Sequence, residues 1–376
     1  LVALVGALWV TNLGYWGFNQ YIIQKGLAAK SIDETTIRIM IEFKKYSSIE
    51  NHFYKDYLDQ VREQVPADVQ WVVQEKVHGT NTSFLCDGND VKFAKRTSIL
   101  EDDEKFYDYQ ELVDEYKEKV ISLFNHLKQD CPDMQSVSVF GELFGGSYPH
   151  PDVQRVGRLT MIQKGVYYAP DHEFYGFDIY VFTNDGGYYL SVDQAERLFE
   201  SEGFFYAKPL FKGTLDECLA YPNEFQSKIA EWLGYPAIED NICEGIVIRP
   251  VTPHYLRTGS RALIKSKNAR FAENKSVKRR NRQLEAPVEY SKELAELIEN
   301  LASYVNENRL ANVVSHIGEV HMPADLGKLI KEMSYDVVED FLKEHSALYN
   351  VIDKSEIKIF NKELNKMISS LVKKVY

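Results

Sequence analysis

The sequence predicts an α+β fold: antiparallel sheets with flanking helices, followed by a small all-helical C-terminal domain. Three observations predict it. Short runs rich in aromatic and β-branched residues, bounded by Gly, Asn, Asp or Pro, recur from Trp71 to Lys267 and read as strands. Stretches with apolar residues three or four apart lie between them and read as helices. Beyond residue 283 only the helical period remains.

In chain order, residues 1–24 carry no charge and are rich in Leu, Val, Trp and Tyr, long enough to be weighed as a membrane span. Asn12, Asn19, Gln20 and several glycines argue against a span, as does the want of a basic leader. Residues 1–39 are therefore expected to be an atypical extension, from upstream translation or a fragment edge, with a membrane anchor as the alternative. From Met40 the texture is that of ordinary soluble protein. The expected strands are WVVQEKV, TSFLCDG, VKFAKRT, VSVFGELFGG, EFYGFDIYVF, EGIVIRP and RALIKSK, and the expected helices Tyr107 to Asp130 and Ser191 to Gly203. The polar stretch Asn274 to Pro287 lacks apolar periodicity and reads as a linker. After a Ser291 cap, Leu294, Leu297, Ile298, Leu301 and Val305 fall on one helical face, and similar faces follow to Val372. The expected domains are thus residues 40–282 and 283–376.

The 376 residues are 44% hydrophobic and 27% charged, ordinary globular composition for roughly two to three domains. Cys86, Cys131, Cys218 and Cys243 are far apart with no C-x-x-C pair, which argues against a disulfide framework or a cysteine-zinc site and favours a reducing, cytoplasmic setting. The net charge of -12 would repel nucleic acid unless basic residues are gathered. From Arg257 to Arg282 they are: Arg261, Lys265, Lys267, Arg270, Lys275, Lys278, Arg279 and Arg280 join them against a single acid, Glu273.

The chemistry-bearing segment is Glu75-Lys76-Val77-His78-Gly79-Thr80-Asn81. A lysine nucleophile must be deprotonated, and a glycine beside it lets a phosphate approach the backbone. Such a string is common by chance, and most lysines beside a turn are solvated surface groups. Five further segments in order raise its weight: Lys95-Arg96-Thr97, Phe140-Gly141-Glu142-Leu143, Tyr175-Gly176-Phe177-Asp178, Glu244-Gly245-Ile246-Val247-Ile248-Arg249 and Lys265-Ser266-Lys267. Cations at Arg96, Lys265 and Lys267 can hold a triphosphate. Carboxylates at Glu142, Asp178 and Glu244 suit Mg²⁺ or ribose hydroxyls, and the Phe177 ring can stack on a base.

Together with FKKYSSIENHF and YVNENRLANVVSHIGE, this series resembles the T4 RNA ligase 2-like family of the covalent nucleotidyltransferase superfamily, to which the trypanosome RNA-editing ligases are related. The resemblance covers nearly everything after Met40. His78, where DNA ligases and capping enzymes usually carry Asp, and the helical tail in place of a barrel of short strands select this branch. The resemblance implies a nucleotidyltransferase domain, ATP-grasp-like in the ligase sense, that joins RNA 3′-hydroxyl and 5′-phosphate ends through lysyl-AMP at Lys76, with ATP and Mg²⁺ or Mn²⁺ as cofactors.

It further implies that Glu75 and Phe177 contact adenine, Arg96 and Glu142 the ribose, and Lys265 and Lys267 the α-phosphate. Gly79 and Asn81 line the nucleotide site, Glu244 places the metal, and His78, Asn81 and Asp178 join the catalytic set. The partner implied is RNA, a nicked duplex docked by the helical domain, with no stable protein partner, in a phage-infected or bacterial cytoplasm. The alternatives are a DNA ligase, a capping guanylyltransferase, or a non-catalytic RNA-binding relative.

Overall fold

The computed structural model describes residues 41–101, 104–157, 159–272 and 291–376. The N-terminal extension, the linker and the basic run from Lys275 lie outside the described residues. Phe43–Tyr376 form one compact unit.

In order come β1 (Glu50–Asn51), α1 (Lys55–Gln64), β2 (Trp71–Lys76), β3 (Thr80–Cys86), β4 (Val91–Lys95), β5 (Ser98–Ile99), α2 (Tyr109–Asp130), β6 (Met134–Gly145) and β7 (His172–Thr183). Then follow β8 (Gly186–Tyr189), α3 (Val192–Ser201), β9 (Pro209–Gly213), the short α4 (Leu215–Leu219) and α5 (Ile229–Trp232), β10 (Gly245–Pro250) and β11 (Ile264–Lys267). Helices α6 (Lys292–Tyr304), α7 (Glu307–Ile317), α8 (Leu326–Tyr349) and α9 (Lys354–Val375) complete the chain.

The strands form two sheets, β1-β11-β10-β2-β9 and β5-β4-β3-β6-β7-β8. Every pairing is antiparallel except the edge pair β1 with β11, which is parallel. The α+β expectation therefore holds. Each expected strand forms, although RALIKSK contributes only its second half. The short edges β1, β5, β8 and β9 were not anticipated: β9 opens on Pro209, and β1 spans two residues, too little sequence for an alternation to register.

Amphipathic spacing explains where the helices pack. Leu112, Tyr116, Val120 and Leu123 of α2 and Ala195 and Phe199 of α3 join Phe84, Val139 and Phe174 against the six-stranded sheet. Val61 of α1 packs with Trp71, Ile246 and Ile264 of the five-stranded sheet. The last four helices bury a core of their own: Leu329, Met333, Val337 and Phe341 of α8, each four residues on, face Phe360, Leu364, Ile368 and Val372 of α9. The Ser291 cap forms, its hydroxyl accepting from Leu294 N at 3.1 Å. The faces expected around Leu326 and Val337 belong to one helix, α8.

The helical region sits against the sheets beside the strand ends. Asn308 Nδ2 donates to the carbonyls of Arg270 at 2.7 Å and Ala272 at 3.1 Å, and Thr80 Oγ1 donates to the Ser315 carbonyl. Among the described residues no helix is long and apolar enough to cross a membrane.

Candidate active site

Lys76 ends β2, and the register explains its neighbours. Gly245 at the start of β10 pairs with Lys76 on one side and with Lys267 of β11 on the other. The residue just before it, Glu244, thus lies between the two lysines. Its Oε2 is 2.7 Å from Lys76 Nζ and its Oε1 2.8 Å from Lys267 Nζ. Gly245 is required there: its φ is +150°, and a Cβ would lie 2.1 Å from the Ser266 carbonyl oxygen. Gly79 is required on packing grounds, apart from the phosphate approach expected of it. A Cβ at Gly79 would lie 2.3 Å from the Leu143 carbonyl oxygen of β6, so the glycine lets the chain leave β2 and enter the second sheet.

Electrostatics separates the carboxylates. Burial alone would raise the Glu244 carboxyl, but Lys267, Lys76 and His78 outweigh it and hold the group at about 2. His78 Nδ1 is 3.8 Å from Glu244 Oε2, its ring meets Phe271 edge-on at 5.4 Å, and its backbone N–H donates to Tyr168 Oη at 3.0 Å. Glu142 is pushed up to about 7 by burial, with Glu244 adding to the rise and Lys76 and Arg96 opposing it. Glu75 likewise reaches about 7 through burial, although it accepts from Ser227 Oγ at 2.6 Å and Lys228 N at 2.8 Å. Each carboxylate oxygen of Glu75 thus accepts one hydrogen bond from the protein.

A cavity of about 680 Å³ opens between the sheets and the helical region, lined by Glu75, Lys76, Asn81, Arg96, Glu142, Phe177, Lys265 and Lys267 among others. Its volume suits a nucleotide. Asn81 of β3 lies opposite Glu142 of β6. Phe177 reaches the cavity through a β-bulge: Gly176 pairs with Gly141 and Asp178 with Phe140, leaving Phe177 without an opposite residue. Its ring meets Tyr46 edge-on at 5.0 Å.

Asp178, expected among the catalytic groups, lies behind the cavity wall with no exposed surface. Its Oδ2 takes ion pairs from Arg249 at 2.9 Å and Arg261 at 2.7 Å, and accepts from Tyr46 Oη at 2.9 Å. Arg249 also donates to the Phe177 carbonyl at 2.8 Å, so the cluster around Asp178 is joined to the backbone of the Phe177 bulge. The partners Tyr46, Arg249 and Arg261 were given no role at the site from sequence, although Tyr46 and Arg249 fall inside quoted motifs and Arg261 opens RALIKSK and counts among the gathered basic residues. Nor were the cavity residues of the helical region, among them Asn312, His316, Glu332 and Asp336.

Glu244 was also expected to hold the metal. Here both its oxygens face lysines, and among the described residues no three His, Cys, Asp or Glu side chains converge as a metal site. That donor set fits a hard cation bound chiefly by phosphate oxygens with one or two carboxylates, the usual manner of Mg²⁺.

Comparison with known proteins matches residues 69–267 to the RNA ligase family and residues 288–370 to the T4 RNA ligase 2 C-terminal family. The chain is 31% identical over 326 residues to the mitochondrial RNA-editing ligase 2 of Trypanosoma brucei brucei, spanning 73% of this chain and 77% of that protein. A solved mutant of Naegleria gruberi RNA ligase with ATP and Mn superposes with a TM-score of 0.41 at 13% identity, covering 62% of this chain and 59% of that one. A short stretch of 34 residues is 68% identical to the sodium/glucose cotransporter of Vibrio parahaemolyticus, 9% of this chain and 6% of that protein. With the ligase match running through the lysine turn, both sheets and the paired-lysine strand, the chain belongs to the RNA ligase family.

Proposed function

We propose that this ATP-dependent RNA ligase seals nicks in duplex RNA and carries AMP on Lys76. The observation that carries the reading is the single carboxylate of Glu244 shared by Lys76 and Lys267 beside a nucleotide-sized cavity. In the first step Lys76 Nζ gives up a proton and attacks the α-phosphorus of ATP. The bond from that phosphorus to the bridging oxygen breaks, and pyrophosphate leaves. Lys265, Lys267 and Arg96 offset the charge that builds on the phosphates. A divalent cation, Mg²⁺ or Mn²⁺, would be held by Glu244 or Glu142 together with phosphate oxygens and would add Lewis-acid stabilisation there.

In the second step an oxygen of the RNA 5′-phosphate attacks the same phosphorus, the P–N bond breaks and Lys76 regains its proton. In the third the 3′-hydroxyl, losing its proton, attacks the 5′-phosphorus and AMP departs. Phe177, turned inward by its bulge, stacks on adenine, and Glu142 and Arg96 take the ribose. His78 braces Glu244 from the side away from Lys267. Asn81, opposite Glu142, orients it. Residues 40–282 form the adenylyl-transferring domain, and 283–376 dock the duplex, with Lys275 to Arg282 adding salt-dependent phosphate contacts. A reducing cytoplasm suits the unpaired cysteines, and the reaction needs no standing protein partner.

The test is to incubate the protein and Lys76→Ala with α-labelled ATP or GTP and Mg²⁺, then with nicked duplexes of RNA or DNA. Label from ATP that is lost in the variant, followed by sealing of nicked RNA, is the expected result. Label from GTP alone would make the protein a capping enzyme. Preference for nicked DNA would make it a DNA ligase, and no label would leave a silent RNA-binding relative.

A further inference from the structure

The motif YVNENRLANVVSHIGE runs through α7, and its residues find partners on two sides of the helix. Leu310 and Val313 are buried in the core of the helical region, and Arg309 pairs with Asp336 and Asp340 of α8, which fixes α7 to that region. The other side is keyed to the sheets. Asn308, Asn312 and Ser315 recur at i, i+4 and i+7 and so share one face. Asn312 lines the cavity, and the Ser315 carbonyl accepts from Thr80 Oγ1. Asn308 stands off the cavity, and its Nδ2 clasps two backbone carbonyls, those of Arg270 at 2.7 Å and Ala272 at 3.1 Å.

Between those two carbonyls lies Phe271. Its ring is 8% exposed, meets His78 edge-on at 5.4 Å and packs with Val77 and Tyr168. Phe271 N donates to the Asn268 carbonyl at 3.1 Å, and Asn268 N to the Glu244 carbonyl at 3.0 Å. The segment that Asn308 clasps is thus itself fixed to the turn after Lys76 and to the backbone of Glu244. At its C-terminal end α7 meets Thr80, where that turn enters β3. A helix held at two points about 10 Å apart has one register on the turn. The groups assigned to ATP stand on the two sheets and their turns, and none of them on α7.

We propose that Asn308 is a positioning residue for the transfer of AMP from Lys76 to RNA: its clasp on the carbonyls flanking Phe271 sets the register of the duplex-docking helical region on the lysine turn. The inference rests on the reading that residues 283–376 dock a nicked duplex. In that step an oxygen of the RNA 5′-phosphate attacks the AMP phosphorus, the P–N bond to Lys76 breaks and the lysine regains its proton. A duplex held by the helical region meets that phosphorus in line only while the region keeps its register, and a misplacement of about 1 Å costs up to about a hundredfold in rate. The ATP step draws on the sheet residues and is independent of the clasp.

The experiment uses the full chain, labelled on Lys76 with α-labelled ATP and then freed of ATP. It follows the loss of that label from the protein over a range of nicked RNA duplex concentrations, with thermal melting alongside. Native protein is compared with Asn308→Ala, with Asn308→Asp, which keeps the shape but not the donor, and with Asn308→Gln, which keeps the donor. The expected result is near-native labelling of Lys76 in all three variants, and transfer at saturating RNA slowed about tenfold in the alanine and aspartate variants. The RNA concentration for half-maximal transfer is expected to stay within about twofold of native, since the surface that holds RNA is untouched. Asn308→Gln is expected to regain part of the rate. Native transfer in Asn308→Ala overturns the proposal, as does a defect confined to the half-maximal RNA concentration, which would make Asn308 a direct RNA contact. Equal slowing of labelling and transfer, or losses that track the unfolded fraction, would make the clasp purely structural and overturn it too. A native protein that takes label on Lys76 but passes none to nicked RNA would instead overturn the duplex reading, and this inference with it.

Discussion

Glu142 and Glu244 both feel the charge of Lys76 yet titrate in opposite directions, about 7 and about 2. Each is buried, but Glu244 has two lysines within 3 Å whereas Glu142 depends on weaker help from Lys76 and Arg96. The consequences for stability have opposite signs. Glu244, lowered in the folded state, contributes stability that is present above about 4.5 and lost as pH falls toward about 2. Glu142, raised in the folded state, costs nothing while protonated and destabilises the protein as pH climbs from about 4.5 to about 7. Glu142→Gln is therefore expected to melt higher than the native protein at pH 8 and to lose that advantage near pH 4. The same variant should ligate more slowly by about tenfold or more, since a charge-assisted contact is lost. Melting curves and label transfer at both pH values check the pair of outcomes; a variant less stable than native at pH 8 would contradict the sign.

At the scale of elements, the sheet-to-sheet turn decides where the nucleophile points. Gly79 has the Leu143 carbonyl where its side chain would be, and that carbonyl is in backbone of β6 that cannot swing aside. Gly79→Ala is expected to destabilise by about 2–3 kcal/mol through overpacking and to displace Lys76 from Glu244. Thermal melting and lysine labelling read the two effects separately; an alanine variant that melts and labels like the native protein would refute the close approach. Most elements that build this turn were legible in sequence, because WVVQEKV and TSFLCDG are dense in β-branched or aromatic residues with a glycine between them. The Phe177 bulge was not: GFDIY reads as an unbroken strand, and only its pairing with β6 exposes the extra residue.

Across the whole molecule, Asp178 links the two sheets. It stands on β7 of one, while Arg249 lies on β10 of the other and Arg261 just before β11. Removing one partner of a buried ionic cluster leaves the others uncompensated. Asp178→Ala is expected to cost about 3–5 kcal/mol of folding stability, measured by denaturant unfolding; a cost below about 1 kcal/mol would mean that the arginines find water or other acceptors. What the sequence by itself determined was the chemical inventory and its local setting. The motif series, the strand and helix periods, and the family's lysine turn all live within a few residues and survive without knowledge of the fold. Only the tertiary structure decided which groups act together. Lys76 and Glu244 are 168 residues apart, and the register that flanks Gly245 with Lys76 and Lys267 is a property of three paired strands. It likewise moved Asp178 from the cavity to the wall behind it, because burial and pairing are set by packing between distant segments, which no local pattern encodes.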